Sequence, residues 1–90
     1  MPPTPKLVLD GDAVDAILVL PAAQRRRLLD SLDRLCHEHP YTSEDFHFAD
    51  ETGRHISIKA IRPVLVAYWL DGPVNELRIT RITRVRPQTK

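Results

Sequence analysis

Residues 64–72, VLVAYWLDG, followed by residues 76–86, ELRITRITRVR, decide the fold. Val64 to Leu70 is β-branched, aromatic and apolar on both faces, which suits a central strand covered on one side. Asp71-Gly72-Pro73 is a strong turn signal. Alternation resumes from Glu76 to Val85, with Leu77 and Ile79 set apart from Arg78 and Thr80, and Pro87 closes the strand. A strictly regular strand places Arg78, Arg84 and Arg86 on one face and Arg81 on the other. Ile82 would then share the arginine face, so the spacing predicts a bulge between Thr80 and Thr83.

Upstream, residues 55–61 (HISIKAI) alternate as well. Ile56, Ile58 and Ala60 are expected on one face, and His55, Ser57 and Lys59 on the other. Arg62-Pro63 breaks the chain between this strand and the next. Phe46 and Phe48 repeat the two-residue spacing before a turn at 50–53. Further back the period lengthens. Leu28, Leu29, Leu32, Leu35 and Cys36 form one helical stripe, entered through Pro21, whose missing N–H costs nothing in a first turn, and ended by Pro40. A shorter helix precedes it, capped by Asp10 or Asp12, with Ala13, Val14, Ile17 and Leu18 on one side. Lys6 to Leu9 begins the chain as a strand. Strands grouped after helices predict an α+β domain, with two N-terminal helices packed on one face of a small antiparallel sheet. One domain is expected over residues 1–90, with 1–5 a frayed, proline-rich tip.

Composition narrows the class. Hydrophobic residues make up 42% of the 90, too many for intrinsic disorder. One cysteine, Cys36, supports neither an internal disulfide nor a thiolate zinc cage. No apolar run is long enough to span a bilayer, and no apolar stretch follows residues 1–6, so a cytoplasmic protein without membrane association is expected. The net charge of +1 hides an asymmetry. Ten acidic residues face five basic ones through Gly53, whereas eight basic residues face two acidic ones from Arg54 onward. Such a split can mark a surface for nucleic acid or for an acidic protein segment.

The basic half concentrates its chemistry in Arg78, Arg81, Arg84 and Arg86, with Lys59 and His55 on an earlier strand. Guanidinium groups bind phosphate bidentately, so several on one sheet would attract an RNA backbone. The same residues also serve as a solvated face that discourages edge pairing. His37, His39, His47 and His55 lack the i,i+4 spacing of a helical zinc site, and neither a metal nor another cofactor is expected. His55 is the best candidate for proton transfer, although the residue type alone favours a surface histidine without a catalytic role. Cys36 on the leucine stripe reads as a buried structural thiol. Tyr68 and Trp69 read as sheet packing, with base stacking as the alternative. Three glycines cannot build a phosphate-cradling loop.

Residues 64–72 and 77–86 together resemble the end of RelE/ParE-type toxins, in which a strand with a tyrosine and a D-G turn precedes an arginine-bearing last strand. The opening strand and the two helices extend that resemblance over almost the whole chain. It implies the toxin of a bacterial toxin–antitoxin module, with an antitoxin covering the basic sheet face. The target would be translated mRNA on the ribosome, cleaved without a metal, or DNA gyrase; a non-catalytic module binding nucleic acid or an acidic segment is the alternative. For the nuclease branch the matching catalytic positions are Lys59, Arg81 and Arg84, with His55, Arg62, Arg78 and Arg86 as binding residues. The chain departs from many such nucleases at Leu65, where they carry arginine, and in residues 87–90 (PQTK), where they carry a tyrosine.

Overall fold

Ile61 and Val64 pair across the two-residue turn at Arg62-Pro63, and this pairing sets the register of the sheet centre. The computed structural model describes residues 4–38, 46–49 and 51–84. Its elements are β1 (Lys6–Leu9), α1 (Gly11–Leu18), α2 (Ala22–Glu38), β2 (Phe46–Ala49), β3 (His55–Ile61), β4 (Val64–Asp71) and β5 (Glu76–Arg84). The five strands form one sheet in the order β1-β5-β4-β3-β2. The three pairs from β2 to β5 are antiparallel, as the short turns between them require. β1 instead runs parallel to β5, because the two helices return the chain to the far edge before β2 begins. The sheet is therefore mixed, which corrects the expectation of a purely antiparallel one. The α+β class and the helix pair hold.

One core joins the helices to one sheet face. It contains Ala13, Ile17, Leu20, Leu28, Leu32, Leu35 and Cys36 from the helical half. Val64, Val66, Tyr68, Leu77, Ile79 and Ile82 meet them from β4 and β5. Each fully buried aliphatic side chain contributes about 1.5–3 kcal/mol relative to exposure. The leucine stripe of α2 is narrower than its sequence suggests, since Leu29 faces solvent while Leu28, Leu32, Leu35 and Cys36 are buried. On α1, Ala13 and Ile17 are buried, but Val14 and Leu18 are exposed. Asp10 occupies the N-cap of α1 without a side-chain cap hydrogen bond. Its carboxylate is drawn instead towards Arg78, 3.7 Å away.

The bulge in β5 lies at Thr80. Ala67 opposes Arg81 and Tyr68 opposes Ile79, so Thr80 is the extra residue. Its hydroxyl donates to the Ala67 carbonyl at 3.3 Å. The extra residue lets Ile82 rejoin Leu77 and Ile79 in the core, where parity alone would have turned it outward. It also moves Arg81 onto the same face as Arg78 and sends Arg84, opposite Val64, to the helix side.

The two alternating sets of β3 do lie on opposite faces, with the polar set on the helix side. Ser57 opposes Tyr68 and Lys59 opposes Val66, so both lie on the helix-covered face. Ser57 is only 4% exposed. Ile58 opposes Ala67 and Ala60 opposes Leu65, which places Ile56, Ile58 and Ala60 on the opposite, open face. Ile56 is buried there, outside the main core.

Candidate nucleic-acid interface

Strand alternation and register give the open face its composition. β4 contributes Leu65, Ala67, Trp69 and Asp71, and β5 contributes Glu76, Arg78, Arg81 and Thr83. An apolar centre is thus bordered by arginines. The two arginines of β5 differ sharply in surroundings. Arg78 is hemmed in by three carboxylates: Nη2 lies 3.0 Å from Glu76 Oε1, Nη1 3.7 Å from Asp10 Oδ1 and Nε 3.8 Å from Asp71 Oδ2. Its charge is spent on tying the β1–α1 junction to the β4–β5 turn. Arg81 is exposed and meets no carboxylate among the described residues.

A feature the sequence reading did not anticipate sits beside them. The Arg54 guanidinium lies over the Trp69 ring, 4.9 Å from its centroid. Arg54 Nε also donates to Thr52 Oγ1 at 3.0 Å, so its plane is held from a second direction. Gly53, with φ of 85°, makes the tight reversal that brings Arg54 back over the sheet. The indole Nε1 of Trp69 is buried with no hydrogen-bond partner among the described residues. Residues 54 and 69 are neighbours only once β3 and β4 pair, and no local motif announces it.

The remaining candidates are dispersed. Lys59 is half-buried in a groove of about 360 Å³ between α2 and β3, lined also by Ser31, Arg34 and Glu38. Arg62 in the turn and Arg84 opposite Val64 lie together at one end of the sheet, both exposed. His55 is exposed at the start of β3, at the other end. Arg86 and His39 lie outside the described residues. Lys59, Arg81 and Arg84 therefore do not share a face: Lys59 and Arg84 have the parity of the helix side, and Arg81 that of the open side.

Burial pushes the Cys36 thiol up from its ordinary value, and the nearby Asp33 carboxylate adds to the effect. That disfavours the nucleophilic thiolate, in keeping with its structural place on α2. Among the described residues, no group of three histidine, cysteine or acidic side chains is placed to hold a metal. No described helix is long and apolar enough to cross a membrane.

No family model and no curated protein matches the chain by sequence. Among solved structures, it is similar to a chain of the archaeal RelE–RelB complex from Pyrococcus horikoshii OT3. The TM-score is 0.72 at 20% identity, over 90% of this chain and 94% of that one. With the helix pair, the strand order and this match across nearly the whole length, the chain has a RelE-like fold.

Proposed function

We propose that this protein is the toxin of a two-component toxin–antitoxin pair, held inactive by an antitoxin and acting on translated RNA through the open face of its sheet. The observation that carries the reading is the likeness to a chain of the RelE–RelB complex over 90% of the sequence. The charge pattern agrees with it, since the residues from Arg54 onward are strongly basic and supply most of the sheet. On the open face Arg81 takes a phosphate. In a cleavage reaction the RNA 2′-oxygen attacks the adjacent phosphorus, a cyclic phosphate forms, and the 5′-oxygen leaves with a proton. Arg81 stabilises the charge that develops on the non-bridging oxygens. Arg62 and Arg84 guide the backbone at the end of the sheet. Arg78 has a structural role, because three carboxylates already oppose it.

A second reading, inhibition by binding without cleavage, is favoured by one specific placement. His55 and Lys59 have the parity of the helix side, so no histidine or lysine among the described residues lies on the open face, and its carboxylates Asp71 and Glu76 are paired with Arg78. This reading covers a gyrase-directed toxin and a module that binds an acidic segment.

Inducing the chain alone in a bacterial host is expected to arrest growth, and co-expressing the gene encoded beside it to restore growth. Normal growth at confirmed soluble expression contradicts the toxin reading. Mapping of mRNA ends after arrest separates cleavage from binding alone.

A further inference from the structure

The Arg54–Trp69 pair is built differently from a surface salt bridge. The guanidinium carbon lies over the indole, 4.9 Å from its centroid, and Nε donates to Thr52 Oγ1 at 3.0 Å. Arg54 is an exposed residue. What the stack presents outward is a cationic plane, which suits a flat aromatic ligand. Arg81 lies one strand away on the same face, opposite Ala67, two residues from Trp69. Adjacent strands are about 4.8 Å apart and same-face residues about 6.8 Å apart. A long arginine side chain therefore reaches the phosphate next to a base resting on Arg54. The adjoining Leu65 and Ala67 leave the path between them apolar and low.

We infer that Trp69, Arg54 and Arg81 form a single-stranded nucleic-acid subsite, with a base stacked on the Arg54 guanidinium and its neighbouring phosphate on Arg81. Stacking of this kind tolerates any base, because every base has a π-face. The subsite therefore anchors the strand without reading its sequence. This inference rests on the reading that RNA meets the open face, and it names where one nucleotide is held.

Trp69 is the sole tryptophan, so its fluorescence reports on the site directly. The purified full chain is titrated with a single-stranded RNA of about ten nucleotides, within the range such platforms accommodate. DNA of the same sequence and a glutamate-rich peptide form parallel arms. Expected are quenching of Trp69 by the RNA and a roughly tenfold weaker affinity for Arg54→Lys, which keeps the charge but loses the plane. Anisotropy of a labelled RNA gives the same ratio, and Arg54→Gln serves as a second variant, with melting curves confirming that both fold. Arg81→Ala is expected to reduce the salt dependence of binding by about one phosphate contact. Quenching by DNA as strong as by RNA supports the subsite and assigns it to either strand type. Equal affinity of Arg54→Lys and the parent chain overturns the inference. So does quenching by the peptide alone, which would make this a protein-docking face. If RNA leaves Trp69 unchanged while induced cells still arrest, the stacking subsite falls and the toxin reading stands. If neither occurs, both fall.

Discussion

The two faces of the sheet share the same strands and differ in what finishes them. On the helix-covered face Val64, Val66, Tyr68, Leu77, Ile79 and Ile82 are closed over by α1 and α2. On the open face an apolar centre of Ile58, Leu65 and Ala67 ends in Trp69, Arg54, Arg78 and Arg81. The first face is stabilised by burial, and the second carries a stacked cation, a carboxylate-paired arginine and the exposed Arg81. A single bulge at Thr80 decides which arginines fall on which side.

The comparison breaks most visibly under truncation. Leu32 is fully buried on α2. Leu32→Ala is expected to lower stability by about 2–5 kcal/mol. Leu65→Ala on the open face is expected to cost well under half as much, both measured by urea unfolding. Comparable losses would mean that the open face is packed as tightly as the core.

The two arginines that β5 places on the open face sharpen the contrast. Removing Arg78 leaves Asp10, Asp71 and Glu76 without their shared cation. Because these groups are partly exposed, Arg78→Ala is expected to cost only about 1 kcal/mol. Arg81→Ala is expected to leave the melting temperature unchanged and to weaken RNA binding instead. A stability loss for Arg81→Ala as large as that for Arg78→Ala would refute the assignment of separate roles.

The smallest expected effect belongs to Cys36. Its folded-state pKa is raised by burial and by Asp33, while an unfolded thiol titrates near about 8.5. Below that pH the thiol is neutral in both states and contributes no slope. As pH rises above it the unfolded chain loses its proton first, so stability falls until the folded thiol also ionises. Cys36→Ala is expected to flatten this alkaline decline in a pH series of unfolding curves. An unchanged decline would place its origin elsewhere.

Much of this was legible before any coordinates. The period of Leu28, Leu29, Leu32, Leu35 and Cys36 specifies α2 and its buried side, with Leu29 at the margin of the stripe turned to solvent. The bulge was legible too, since Ile82 could not otherwise avoid the arginines. The facing of β3 was not. Both of its alternating sets sit beside β4, which is apolar on each side, so hydrophobicity offered no way to choose between them. The choice came from the Ile61–Val64 pairing across the Arg62-Pro63 turn. For the same reason the grouping of Lys59 with Arg81 could not be tested by periodicity. The Arg54–Trp69 stack was hidden because it depends on pairing two strands and on the reversal at Gly53.

The central claim is that the open face does the work, and one comparison tests it most directly. Growth is followed after induction of the parent chain, Arg81→Gln and Lys59→Gln at matched soluble levels. The two substitutions remove one charge each from opposite faces of the same sheet. The account predicts that arrest is lost with Arg81→Gln and kept with Lys59→Gln. Arrest kept with Arg81→Gln and lost with Lys59→Gln would contradict it and move the working site to the groove beside α2.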